Sequence, residues 1–406
     1  MSAVDEPTTL ASTIRGLDAQ RLSRLLTLRP DLANPTPRDL AEVSSRAGTH
    51  ASINAAISSL DRWRLSLLTA LAALGDLTLD ELTDAICQGW PPKPDTIRAD
   101  VADGVSDLLD MVLVLEDSGH LHVIQVVTTH LPGYPAGLAP VSVMPMSSEE
   151  VAERLAAAGP KAHAVLERLV WSPTGHLPNA RRTVTPETAT TPVEMALAHR
   201  LLRPLGDDTV VLPREVALPL RGNRLLAEQP SPTPPAWPEP RQTTLVNRAG
   251  LGTALEAVSA MSALLEGVER HDCALLASGG MAKRDARTVL SRVATGDDGW
   301  VHLAVAAAGG FIGADGRGWL PTSLADRWRT DSLWGQWVSL RDAWRRIPQL
   351  PGSLGNTLDA SSPATARAWR RLVHEELSTA EPGTPVEAGL VADRIRWRQP
   401  GTKIGR

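Results

Sequence analysis

Apolar residues at Trp63, Leu67, Leu68, Leu71 and Leu74 recur at helical spacing between Asp61, a side chain suited to cap a helix N-terminus, and Gly75, which ends the run. The pattern predicts one helix over 61–74, a second over 79–86 and a third over 94–110. The period then changes. Residues 111–115 and 120–124 are rich in Val, Leu and Ile and are separated by Glu116-Asp117-Ser118-Gly119, which predicts a β-hairpin. Upstream, residues 1–60 read as short helices broken at Pro30, Pro35 and Pro37.

Three helices closed by a hairpin is the outline of a winged helix, and the outline recurs. Residues 148–222 predict helices over 149–158, 162–170 and 192–202, a polar loop holding Arg181 and Arg182, and a single closing strand over 209–212. Residues 249–350 predict a long helix from 251, a basic helix over 282–293, a short apolar one over 300–308, and a hairpin of 311–313 with 318–320 around Asp315-Gly316, a favoured two-residue turn. The helix-to-hairpin junctions fall near 112, 201 and 309, which suggests a repeat of about a hundred residues. A Trp-rich helix over 323–346 follows. Its stripe of Leu333, Trp337, Leu340 and Trp344, with Trp334 beside it, reads as core packing, with base stacking as the sharper alternative.

Between the second and third outlines, residues 227–242 contain six prolines and make a stiff extended spacer. The expected organisation is an N-terminal helical segment 1–60, winged-helix-like units at 61–140, 148–222 and 249–350, a Pro-rich linker 223–248, and a C-terminal helical tail 351–406. The expected fold class is mainly α with small β-hairpins, arranged as tandem winged-helix-like modules. At 406 residues, a prior of roughly 150 residues per domain also predicts more than one core.

Composition agrees with helices, since Leu and Ala abound while Tyr and Phe occur once each. Cys87 and Cys273 are the only cysteines, too few for a disulfide framework or a four-cysteine zinc site. The N-terminus is acidic and polar, unlike a secretory signal, and no run approaches roughly 18 uninterrupted apolar residues, so a cytoplasmic chain with no membrane partner is expected. The net charge of −5 argues against a strongly basic nucleic-acid binder, but its distribution is uneven. Residues 61–140 carry 12 acidic and 4 basic side chains, whereas 351–406 carry 6 and 8. Any contact with phosphate must avoid the first of these regions.

No catalytic motif is present. None of Lys93, Lys161, Lys283 and Lys403 sits in a phosphate-cradling G-x-x-x-x-G-K-[ST] frame, and the G-x-S-x-G and H-E-x-x-H patterns are missing. Gly309, Gly310, Gly313, Gly316 and Gly318 bracket a hairpin instead of opening a helix. His120, His122 and His130 lack a clustered third ligand type, so neither a metal nor a cofactor is expected. The candidates for nucleic-acid contact are Lys283, Arg284, Arg287 and Arg292 on one short basic helix, with Arg181 and Arg182 second; a solvated helix face is the bland alternative. The predicted third helix of the first unit carries Asp95, Asp100, Asp103, Asp107 and Asp110 against Arg98, which would repel phosphate and favours packing or protein contact.

Three stretches carry a family resemblance: LLTLRPDLANPTPRDL with the later LDRW; LEAVSAMSALLEGVERH leading to LLASGGMAKRDARTVL; and GGFIGADGRGWLPTSLADRW with WVSLRDAWRR. Their spacing of Leu, Trp, Gly and Pro resembles the N-terminal region of the actinobacterial helicase-associated proteins called XPB-like or XPB N-terminal-like. The resemblance implies a string of winged-helix modules and supplies no catalytic residues to transfer; because relatives continue beyond RWRQPGTKIGR, a complete protein, a truncated relative of a helicase-type protein and a fragment remain alternatives. The expected function is a non-catalytic helicase-associated module that binds duplex DNA weakly or supports a helicase or other DNA-processing partner. A protein-interaction scaffold of winged helices without DNA contact is the alternative.

Overall fold

In a computed structural model the chain is mainly helical, 57% helix against 8% strand, with small antiparallel sheets. The structure describes residues 9–91, 93–277, 279–293, 299–348 and 363–401. Part of the expected tail, 351–362 and 402–406, therefore lies outside the described residues. Two compact units form: Met1–Pro234 with Arg396–Arg406, and Pro235–Ile395.

The first unit opens with helices α1 (Leu10–Arg15), α2 (Ala19–Leu28), α3 (Leu40–Ala47) and α4 (His50–Ser59), whose N-termini are capped by the side chains of Thr9, Asp18, Asp39 and Thr49. Ile14, Leu25, Leu32, Val43 and Ala47 close a small core with Val112 and Leu115. Buried Arg29 joins these pieces, donating to Met111 O at 3.2 Å, Ala47 O at 2.9 Å and Ser52 Oγ at 2.6 Å.

Next come α5 (Arg62–Leu74), α6 (Leu79–Cys87), α7 (Pro94–Asp110), β1 (Val114–Asp117), β2 (His120–Val123) and a short α8 (Gln125–Thr128). Leu77, between α5 and α6, pairs with Leu121 of β2, its amide donating at 3.2 Å and its carbonyl accepting at 2.7 Å. A second set follows: α9 (Ser148–Leu169), interrupted at Gly159-Pro160, then β3 (Thr174–His176), α10 (Pro192–Ala198), β4 (Arg203–Pro204), β5 (Thr209–Val211) and α11 (Arg214–Leu220). The sheet has the order β3-β5-β4, so the single strand expected here is one of three. One apolar core runs through both sets, from Leu67, Leu82 and Leu108 to Leu166, Leu201, Leu212 and Val216.

The second unit contains α12 (Thr243–Arg270), β6 (Cys273–Ala274), α13 (Lys283–Leu290), α14 (Gly299–Ala308), β7 (Ile312–Ala314), β8 (Gly318–Pro321), α15 (Ser323–Thr330), α16 (Leu333–Arg346), α17 (Pro363–Leu377) and α18 (Ala388–Arg398), the last assigned here through Ile395. Its sheet has the order β6-β8-β7. Helix α12 begins inside the stretch read as linker, just after the last proline, Pro240. The single helix expected over 323–346 is two, because the Ser332 hydroxyl accepts from the Gly335 amide at 3.1 Å and starts a new helix. The core gathers Met261, Leu264, Val268, Leu303, Ala306, Phe311, Trp328, Leu340 and Ala343. Among the described residues α12 is the one helix long and apolar enough to cross a membrane; a third of its most apolar window is buried in this core.

The first and third sets share one plan: helix, short strand segment, a second helix, a further helix, then two strands, with the first strand segment pairing to the third; the second set keeps the same order with turns in place of its middle helix. Each closing helix also ends alike. The amides of Leu113, Leu201 and Phe311 donate to the carbonyls five residues earlier, Leu108, Ala196 and Ala306, at 3.0, 2.9 and 2.9 Å. The amides of Val112, Arg200 and Gly310 donate to Leu109, Leu197 and Ala307 at 2.9, 2.9 and 3.0 Å, and these three residues have φ of 51°, 59° and 73°. This is the Schellman cap, which satisfies the last carbonyls and turns the chain into a strand. It explains why β1 starts at Val114 and not at Met111 as expected, since Met111–Leu113 form the cap.

Candidate nucleic-acid interface

Helix α13 is strongly two-faced. Asp285, Ala286, Val289 and Leu290 are buried, while Lys283, Arg284 and Arg287 are exposed on the helix and Arg292 in the turn after it. The helix is held in place by Asp285, whose carboxylate accepts from the Ala274 amide of β6 at 3.0 Å. That bond first, and then Arg284 and His271, draw the Asp285 carboxyl below its usual range. Arg284 Nε lies 3.3 Å from Asp285, although its side chain is 92% exposed. Among the described residues Lys283, Arg287 and Arg292 form no ion pair.

The second pair of candidates is placed differently. Arg181 lies 3.4 Å from Asp207, and Arg182 is ion-paired to Glu194. Glu194 is buried at the start of α10 and accepts from the hydroxyl and amide of Thr190 and the amide of Thr191. The Thr190 bonds, more than the Arg182 charge, hold its carboxyl down to about 2. Arg182 is thus tied to a structural carboxylate in the first unit, while the three cations of α13 and Arg292 just after it stand in the second.

In a winged helix the helix before the closing pair of strands is the one that reads a groove. In the second unit this is α14, and none of its residues is exposed: α16 packs across it through Leu340 and Ala343. Helix α10 likewise has no exposed residue. Helix α7 does have an open face, with Asp95 and Asp103 on it, but Asp107 and Asp110 are turned to α2, where Arg24 pairs with both at 2.7 and 2.5 Å. Arg64 also pairs with Asp107. Part of the acidic stripe is therefore a packing surface for the N-terminal helices.

Other candidates resolve into structural roles. Asp315 Oδ1 accepts from the amides of Arg317 and Gly318 at 2.9 and 3.1 Å, so two amides of the glycine-rich hairpin are taken by the turn itself. His120 and His122 lie on β2, and His130 Nε2 lies 3.0 Å from His50 Nδ1, a partner 80 residues away that no motif signals. Among the described residues no group of three or more His, Cys, Asp or Glu is placed to hold a metal. In the Trp-rich stripe Leu340 is buried and Trp337 and Trp344 half-buried, whereas Trp334, off the stripe, is 72% exposed.

A basic feature missed by reading the chain lies in the second unit. Arg345 and Arg346 at the end of α16 and Arg367 and Arg371 on α17 line one cleft of ≈ 600 Å³. Its signal was the positive balance of residues 351–406, which does not say which arginines meet those of another helix.

No protein-family profile, no curated protein and no solved structure matches this chain.

Proposed function

We propose that the chain is a non-catalytic, DNA-associated module of three degenerate winged helices, as its resemblance to XPB-like helicase-associated proteins implies, and that it holds duplex DNA by the phosphates through α13. The observation that carries the DNA reading is the exposed face of α13 and the turn after it, where Lys283, Arg287 and Arg292 form no ion pair among the described residues. The winged-helix reading is supported by the strand order shared by all three sets. Because α14 and α10 are covered and α7 is acidic, base edges are out of reach, so contact is limited to phosphate and is independent of sequence.

The test is a gel shift of the intact chain on duplex DNA across a salt series. Each Lys or Arg on a phosphate steepens the salt dependence by about 0.9. R284A/R287A should weaken binding on every duplex and lower the slope by roughly two. An unchanged slope removes α13 from the interface. With no phosphate-cradling loop, purified protein should show no DNA-stimulated ATP hydrolysis; turnover abolished by a point substitution in this chain would overturn that part.

The covered state of α10 and α14 favours a second reading, a protein-interaction scaffold whose winged helices have given their reading surfaces to packing. Absence of any DNA binding at low salt by the intact chain would select it.

A further inference from the structure

We propose that the cleft between α16 and α17 is a second anion site, which takes a ligand carrying two or more adjacent phosphate groups. Among the described residues four guanidinium groups line it, those of Arg345, Arg346, Arg367 and Arg371, against one carboxylate, Asp342. That carboxylate is already engaged by Arg341, whose Nη2 and Nε lie 2.9 and 3.1 Å from Asp342 Oδ1. Arg371 reaches Glu375 at 3.6 Å, while Arg345, Arg346 and Arg367 form no ion pair among the described residues.

Cations in the last turn of a helix complement its dipole, which accounts for Arg345 and Arg346 without any ligand. It accounts in part for Arg367 as well, whose Nε donates to Arg346 O at the end of α16 at 3.3 Å, but not for Arg371, which lies in the middle of α17 and at i, i+4 from Arg367 is repelled by it. Their placement is fixed by the neighbouring residue: buried Arg370 donates to Ile347 O, just past the end of α16, at 2.9 Å and so ties the two helices together. The cleft is concave and of one sign, which concentrates positive potential. Its ≈ 600 Å³ exceeds what one phosphate fills. Guanidinium favours phosphate through paired parallel hydrogen bonds, and the described lining residues offer no aromatic face to read a base. The adjacent phosphates belong either to a nucleic-acid backbone or to a free nucleoside polyphosphate.

Titration calorimetry of the intact chain with inorganic pyrophosphate at low salt, without divalent metal, tests the site. Saturable binding is expected, weakened at least tenfold in R345Q/R371Q and unchanged in R284A/R287A, so failure here is separable from failure of the α13 interface. Should the double variant lose its fold by circular dichroism, R371Q alone, at an exposed position, still carries the test, with a weaker affinity expected. Displacement of pyrophosphate by a single-stranded oligonucleotide assigns the phosphates to a nucleic-acid backbone, and displacement by a nucleoside triphosphate alone assigns them to a free ligand. No saturable binding, equal affinity in R371Q, or bound pyrophosphate that neither competitor displaces overturns the proposal.

Discussion

Arg29, Arg221, Arg370 and Arg394 are buried, and each spends its guanidinium on backbone carbonyls or a buried carboxylate. Arg221 donates to Val170 O and Ala136 O at 2.9 Å and Gly137 O at 2.7 Å, and lies 3.9 Å above the Trp171 ring; burial lowers its pKa to about 10. A rigid fork of donors suits such staples better than an ammonium does. A count of basic residues therefore overstates the charge offered to a partner. Glu194 makes the same point for an acid. Its folded-state pKa of about 2 lies below the ordinary carboxylate value of 4.5, so its contribution to stability is present above pH 4.5 and is lost as pH falls toward 2. E194Q should lower Tm at pH 7 and flatten the loss of Tm across that interval. A pH–Tm series parallel to that of the parent would count against this assignment.

At the scale of elements, the three Schellman caps place Val112, Arg200 and Gly310 in the left-handed region, where a side chain costs about 1–2 kcal/mol. Val112 is fully buried in the N-terminal core, and burial of a Val side chain, worth about 1.5–3 kcal/mol, outweighs that cost. Arg200 is exposed and has no such compensation. R200G should raise stability by about 0.5–1 kcal/mol, after allowing for the greater freedom of glycine in the unfolded chain. G310A should lower it by about 1 kcal/mol or more, since a Cβ there would also meet Leu324 Cδ1 at 3.2 Å. Urea unfolding of the three proteins gives both signs.

The junctions near 112, 201 and 309 were legible because apolar helical runs stop there against a change of period. β3 and β4 were not, since three- and two-residue strands such as Thr174–His176 and Arg203–Pro204 carry no alternation. The basic face of α13 was legible too. The cover over α14 was not, because α16 begins 25 residues beyond the end of α14 and its apolar stripe does not name its partner.

For the whole molecule, a net charge of −5 and a basic helix pull in opposite directions, and distance decides between them. At physiological salt exposed charges are screened beyond about 8 Å, so a phosphate in contact with α13 feels chiefly the charges within that distance, its own cations first. Two of the five α7 carboxylates are moreover neutralised by Arg24 and Arg64 within their own unit. The acidic total is then a poor guide to binding, and three outcomes follow. With the α10 and α14 faces covered, unrelated duplexes of equal length should bind within about threefold of one another, because phosphate contacts carry no sequence information. If the three cations of α13 and Arg292 after it all engage, the logarithm of affinity should fall with the logarithm of salt at a slope of about −3 to −4. D95A/D103A, which removes charge from the open face of α7, should leave both the affinity and the slope unchanged at 0.15 M salt, a concentration set by the screening length of about 8 Å. A preference above about tenfold for one sequence would mean that a base edge is being read, and the covered helices could not be the reader.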